Sequence, residues 1–265
     1  MKTLSQEKID QIIELYSKNN SLRETCRKLN ISIGSAHKYT SRDKVINRHN
    51  ITTELHSHDE RLIGLYIGLW MGDGTQYYEK NKRGYTIKIC SNKKDLLLNA
   101  FIRRAIFRLF GKNTALHEVS NTNQTYIKFS SKFIFNFVYN YVSQEFRKKT
   151  HTIHLKEKIN MYSDDFLEGC LLGLVLSDGY LKHIFSFNVT SNNLADNMIQ
   201  ILENFEFSPS LYIQNREKYR WKDLYMVKLR VEESKRLELF LDTILEKLAC
   251  TNSFKELKYS GPAEI

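Results

Sequence analysis

Leu65-Tyr66-Ile67-Gly68-Leu69-Trp70-Met71-Gly72-Asp73-Gly74 has a counterpart later in the chain, Leu171-Leu172-Gly173-Leu174-Val175-Leu176-Ser177-Asp178-Gly179. Both stretches are apolar, both read as helices, and both end in Asp-Gly. The two aspartates stand 105 residues apart. One Asp-Gly marks nothing more than a turn. The residues downstream of each aspartate, however, also repeat. After Asp73 come a strand, Thr86 to Cys90, then Ser91-Asn92, then a helix from near Lys94. After Asp178 come a strand, Phe185 to Thr190, then Ser191-Asn192, then a helix from near Leu194. Hairpin-like sequence comes next in both places, ending in Ser131-Lys132 and in Ser234-Lys235. An αββαββ unit occurs twice at nearly constant spacing. The pattern predicts a duplicated α+β fold with an internal pseudo-twofold axis.

The cores Gly68 to Gly74 and Gly173 to Gly179 resemble the signature of the LAGLIDADG homing endonucleases. Met71 and Leu176 stand where the family name has its first Asp, a position that varies. The resemblance covers about residues 58–258, and two copies in one chain match the monomeric branch. It implies two αββαββα units with saddle-shaped antiparallel sheets. It also implies site-specific, metal-dependent double-strand cleavage of a long DNA target, leaving 3′ overhangs. A non-cleaving DNA-binding regulator and an intron RNA maturase are the alternatives on the same fold.

The residues support that chemistry independently. Gly64 and Gly68 share one helix face, as do Gly169 and Gly173. Without Cβ atoms two helices can approach closely there, at some cost in helix propensity. Asp73 and Asp178 then emerge together at helix C-termini, where carbonyls are unpaired and partial charge is negative. With the carbonyls of Gly72 and Ser177 they make an all-oxygen site that suits Mg²⁺, with Mn²⁺ tolerated. Spacing supplies the convergence; the resemblance supplies the catalytic role of Asp73 and Asp178. The resemblance also implies a lysine after the third helix of each half. In the first half, where that helix is read as Phe133 to Val142, Lys148 or Lys149 fits, with Lys148 favoured. In the second, Lys255 and Lys258 are the weaker candidates. Ser91 and Ser191 stand where the family often has a polar residue ordering water, although a helix-capping role also accounts for them.

Strand side chains alternate between faces. Ile87 and Ile89 oppose Thr86 and Lys88; Ile127 and Phe129 oppose Tyr126, Lys128 and Ser130. Phe185, Phe187 and Val189 oppose Ser186, Asn188 and Thr190; Val227, Leu229 and Val231 oppose Lys228 and Arg230. Each half should therefore carry an apolar back and a polar, basic front. Lys88, Lys128, Ser186, Asn188, Lys228 and Arg230 are the expected DNA contacts, to base edges and phosphates.

The first forty-odd residues read as a separate all-α unit. Ser5 can cap a helix to about Lys18, and Ser21 with Glu24 forms a capping-box pattern for a second. Ser32 can cap a third, from Ile33 to about Thr40. This is a helix-turn-helix pattern that would turn Ser35, His37, Lys38 and Arg42 to a major groove. The expected division is a helix-turn-helix domain at 1–43, a linker at 44–57, and two halves at 58–155 and 156–265.

Composition fits this assignment. The formal charge of +10 points to a polyanion, and residues 1–50 hold ten basic against five acidic side chains. The four cysteines, Cys26, Cys90, Cys170 and Cys250, form no C-x-x-C pair, which excludes a zinc site built from close cysteine pairs. MKTLSQEKID has no apolar signal core, and the apolar runs are too short to span a bilayer. A monomeric, non-secreted protein of the cytoplasm or an organelle is expected, with double-stranded DNA as partner and neither membrane nor obligate protein partner.

Overall fold

A computed structural model describes residues 5–19, 22–36, 54–79, 84–145, 149–219 and 221–259. The chain divides into two compact units, residues 1–52 and 53–265.

The first unit contains α1 (Gln6–Asn19) and α2 (Leu22–Leu29), followed by helical backbone at residues 33–36. Ile12, Cys26 and Ala36 form its small core. Asn30 ends α2 in the left-handed region (φ 49°), which a short polar side chain tolerates. Ser32 Oγ accepts from the Ser35 amide at 3.1 Å, the N-cap bond read from the sequence. Ser21 and the stretch from His37 through Arg42 lie outside the described residues.

The second unit is built on two helices, α3 (Glu60–Asp73) and α7 (Asp164–Ser177). Asp59 caps the first through the amides of Arg61 and Leu62, and Ser163 caps the second through the amide of Phe166. Both helices are apolar on nearly every side and buried along most of their length, as such composition requires. Their backbones touch through glycines. A Cβ on Gly64 would stand 2.0 Å from the Phe166 carbonyl oxygen, and one on Gly169 would stand 1.9 Å from that of Arg61. Gly68 and Gly173 are nearly as tight, at 2.3 Å from Cys170 O and 2.5 Å from Leu65 O. The i, i+4 glycines are therefore the condition for the seam. At the N-terminal end of the pair a buried carboxylate, Glu168, is compensated from both sides. Arg61 Nε and Lys247 Nζ each reach it at 2.6 Å, and Arg61 also pairs with Asp165.

Each helix leads directly into a four-stranded antiparallel sheet. The first has order β1-β2-β4-β3, from β1 (Gly74–Glu79), β2 (Gly84–Asn92), β3 (Ala115–Glu118) and β4 (Gln124–Ser130). The second has order β7-β8-β10-β9, from β7 (Gly179–Tyr180), β8 (Ser186–Val189), β9 (Ser210–Gln214) and β10 (Leu224–Lys228). Between the strand pairs lie α4 (Leu96–Phe110) and α8 (Asn192–Asn204). Each outer pair is followed by another helix, α5 (Lys132–Val138) or α9 (Val231–Lys247). The α+β duplication is as the sequence predicts. Ile87, Ile89, Ile127, Phe129, Phe185, Phe187, Val189 and Val227 are all buried on the sheet backs.

Four local expectations need correction. The strand expected over Val227 to Val231 stops at Lys228, because Val231-Glu232-Glu233 opens α9. Acidic residues in a first turn favour a helix start, and Ser234 Oγ bonds back to the Arg230 carbonyl at 2.8 Å. Arg230 is thus an exposed N-cap residue beyond the strand end. The helix expected over Phe133 to Val142 ends at Val138, and β5 (Val142–Ser143) pairs instead with β6 (His154–Leu155). Thr86 is buried rather than displayed, bonding Glu79 Oε1 at 3.0 Å. Ser191 caps α8, but Ser91 caps nothing: it lies in β2 and donates to Asn99 Oδ1.

Candidate functional site

The C-terminal ends of α3 and α7 bring Asp73 and Asp178 together. Asp73 is the last helical residue and Asp178 the C-cap of its helix. An added Cβ on Gly72 would meet Ser177 Oγ at 2.0 Å and Asp178 Oδ2 at 2.9 Å, so the Asp178 carboxylate lies against the backbone beside Asp73. Burial first, and then the Asp178 charge, push the Asp73 carboxyl up to about 6. Burial raises Asp178 as well, with Lys149 and Lys258 opposing. Two carboxylates in one partly desolvated place repel one another and call for a cation.

Two lysines sit at the same helix ends. Lys149, at the start of the short helix α6 (Lys149–Thr152), donates to the carbonyls of Trp70 at 2.7 Å, Gly72 at 3.2 Å and Gly74. Its ammonium also stands 4.7 Å from the centre of the Trp70 ring. Lys258, on α10 (Phe254–Tyr259), donates to the carbonyls of Leu176 and, at 3.0 Å, Ser177. Burial lowers both ammonium groups, Lys149 to about 8, while the two aspartates hold them up. Each lysine thus closes the C-terminus of one motif helix, where a cation complements the dipole.

The carbonyls of Gly72 and Ser177 are therefore already bonded, each to a lysine. A carbonyl oxygen has two lone pairs, so one remains for another partner. Among the described residues no three His, Cys, Asp or Glu side chains form a metal cluster. The donor set here is two acids with partly engaged carbonyls. It fits a hard divalent cation that keeps waters and completes its shell with phosphate.

Lys148, favoured from the sequence, lies outside the described residues; its neighbour Lys149 is the one at the centre. Lys258, one of the weaker candidates from the sequence, occupies the corresponding place in the second half. A signal for its helix was present: Ser253-x-x-Glu256 is a capping box, closed at 2.8 Å and 3.3 Å. Asp95 gave no signal. It is the N-cap of α4 with no side-chain cap bond, and its charge reaches both Asp73 and Lys258.

The sheet fronts carry the expected polar residues. Lys88 and Lys128 face each other on β2 and β4, half-buried, with Lys88 over Tyr126 at 4.7 Å and Tyr77 at 5.4 Å. Lys228 lies between Ser186 and Ser210 on neighbouring strands and over Tyr212 at 5.2 Å. Asn188 is exposed and accepts from Ser186 Oγ at 2.9 Å. Ser35, in the first unit, is exposed. His37, Lys38 and Arg42 lie outside the described residues.

No family model matches the chain. No curated protein matches it by sequence. Solved structures do match by shape. A structure of mesophilic variants of the homing endonuclease I-DmoI is 16% identical, covering 72% of this chain and 98% of that one at a TM-score of 0.52. I-DmoI in complex with DNA and Ca is 13% identical, covering 70% and 91% at 0.53. I-DmoI with DNA and Mn is 14% identical, covering 69% and 97% at 0.52. Over about 70% of its length the chain has the LAGLIDADG homing-endonuclease fold.

Proposed function

We propose that the protein is a site-specific endonuclease that cuts double-stranded DNA with a divalent metal ion bound between Asp73 and Asp178. The observation that carries this reading is the convergence of those two carboxylates at glycine-packed helix ends, each end closed by a lysine. I-DmoI, whose fold the chain shares, has been captured with DNA and with Ca or Mn. Mg²⁺ suits the oxygen donors here, and Mn²⁺ prefers similar ligands.

In this reading Asp73 and Asp178 hold the cation, with the carbonyls of Gly72 and Ser177 beside it. A bound divalent ion supplies an acidified water and polarisation of the scissile phosphate. Lys149 and Lys258 place fixed positive charge where negative charge grows on phosphate and leaving oxygen. Lys88, Lys128, Ser186, Asn188 and Lys228 face DNA along the two sheets, and Arg230 reaches it from the end of β10. The opposed pair Lys88 and Lys128 supports this, because like charges directly opposite on a sheet are unfavourable until an anion lies over them.

The first unit is read as a helix-turn-helix module that adds affinity through Ser35, His37, Lys38 and Arg42. Deleting residues 1–50 should weaken DNA binding and flatten its salt dependence while leaving cleavage chemistry intact. Unchanged affinity would remove this assignment.

The decisive experiment is cleavage of a randomised DNA library with Mg²⁺, with sequencing of the ends. Discrete ends with short 3′ overhangs are expected, and Asp73→Asn or Asp178→Asn should cut cleavage by about a thousandfold or more while binding persists. Full Mg²⁺-dependent cleavage by either variant overturns the assignment. Tight binding by the wild type without nicking in Mg²⁺ or Mn²⁺ favours a non-cleaving regulator.

A further inference from the structure

The two sheets end in unlike hairpins. The turn between β3 and β4, Val119-Ser120-Asn121-Thr122-Asn123, has no charged and no aromatic residue. Its counterpart between β9 and β10 is Asn215-Arg216-Glu217-Lys218-Tyr219-Arg220-Trp221-Lys222-Asp223, with four basic, two acidic and two aromatic residues. The described residues of this connection hold one another through short-range bonds. The Trp221 amide reaches the Arg216 carbonyl at 3.3 Å, the Arg216 amide reaches Asp223 Oδ1 at 3.4 Å, and the Glu217 amide reaches Asn215 Oδ1 at 2.9 Å. Arg216 holds its guanidinium 5.7 Å from the centre of the Trp221 ring.

Trp221 is 65% exposed. Exposure of an apolar residue means little by itself. Here it coincides with basic neighbours and a tethered guanidinium at the outer edge of a sheet whose front is basic. The chain has only one other tryptophan, Trp70, which is fully buried under the catalytic centre.

Position narrows the role. β9 is the strand farthest from β7, which directly follows Asp178. Three strand spacings amount to about 14 Å. The hairpin therefore stands away from Asp178, at the far edge of the second sheet, with no charged or aromatic counterpart on the first.

Resting on the proposed DNA-binding function, we infer that the 215–223 hairpin is a separate duplex-DNA contact in which Trp221 stacks on or wedges between bases flanking the cut site. Arg216, Lys218 and Lys222 hold the adjoining phosphates. An aromatic face stacks on any base, and apolar wedges kink duplexes, so this contact favours easily unstacked steps over a particular base. Its absence from the first half makes the footprint lopsided.

The test uses the full chain with mixed-sequence duplex DNA in metal-free buffer. Acrylamide, an uncharged quencher that DNA does not repel, reports on exposed tryptophan. Buried Trp70 responds little, so the quenchable emission belongs to Trp221. Bound DNA should protect that emission. Trp221→Ala should weaken binding by about 5- to 100-fold, and Trp221→Phe should restore most of the loss. DNA that binds by anisotropy but leaves Trp221 fully quenchable overturns the inference and spares the DNA-binding function. So does unchanged affinity of Trp221→Ala. Protection by phosphatidylserine vesicles in place of DNA reassigns the hairpin to a lipid surface and also overturns it. A wild-type chain that binds no duplex at all overturns both.

Discussion

The two halves of the second unit share a skeleton and differ in how they dress it. Their motif helices are near copies, because glycine at the contact leaves no room for anything larger. Around the aspartates the match loosens. Lys149 is held by three carbonyls and the Trp70 ring, whereas Lys258 is held by two carbonyls. On the fronts it loosens further. β1 pairs with β2 over six positions, whereas β7 pairs with β8 over two. Lys88 faces Lys128, whereas Lys228 lies between two serines. Backbone contact tolerates no change, the cluster around the two aspartates tolerates a little, and the sheet fronts diverge most.

The seam is where the halves should behave alike, and there the effects are largest. Gly64→Ala and Gly169→Ala each drive a methyl group into a backbone carbonyl, at 2.0 Å and 1.9 Å. Each should cost on the order of 3–5 kcal/mol, a large share of an ordinary domain's stability. Urea denaturation of both variants measures it. A clear inequality would show that one helix yields more easily and would break the symmetry.

At the lysines the halves should part. Lys149→Met should lower cleavage about 100-fold and Lys258→Met about 10-fold, since Lys149 makes more contacts at the centre. Supercoiled-plasmid nicking and linearisation rates separate the two. Equal losses would mean that the extra carbonyl and the Trp70 ring are packing alone. A comparable loss in Lys148→Met would return the role to the residue favoured from the sequence.

The aspartates differ too. Asp73, whose carboxyl is pushed up to about 6, feels Asp178 and also Asp95. A carboxyl raised on folding helps the native state below its unfolded value near 3.8 and loses that help as pH rises through about 6. Above that, ionised Asp73 is a liability in the metal-free protein. Asp73→Asn should therefore stabilise at pH 8, on the order of 1–2 kcal/mol after allowance for partial exposure. At pH 4 the gain should vanish. Thermal melts in chelator at both pH values check it, and a gain that grows toward low pH would contradict the burial argument. Saturating Mg²⁺ should erase the gain by stabilising the wild type alone.

The same gradient governs how much of the molecule was legible in the sequence. The helices, the two aspartates and the glycine seam were readable because they repeat at fixed spacing and because close approach admits one residue type. The sheets were readable as faces, since alternation survives small shifts. Their ends were not. Arg230 left its strand because Glu232 and Glu233 favour a helix start that alternation cannot reveal. Lys149 and Lys258 were blurred because each comes from a short helix whose place depends on tertiary packing. Asp95 was invisible, since an acid at a helix start looks like an ordinary cap. That its carboxylate makes no cap bond is a fact of the fold.

The sheet fronts give the smallest effects and sharpen the contrast most finely. Lys88 and Lys128 are directly opposite, so the pair together strains the free protein by about a few tenths of a kcal/mol, and removing either charge relieves it. Lys88→Ala relieves that repulsion but also gives up the Tyr126 and Tyr77 ring contacts, so the two should offset and leave folding stability nearly unchanged, while lowering the salt slope of DNA binding by about 1. Lys228 has serines opposite and a tyrosine ring beneath it. Lys228→Ala should lower the slope by the same amount but lose a little stability, because its cation–π contact goes with no repulsion relieved in return. Paired salt titrations and urea melts distinguish the two sites. If Lys88→Ala were the more destabilising variant, the opposed lysines would not be a strained pair waiting for phosphate, and the two fronts would differ in length alone.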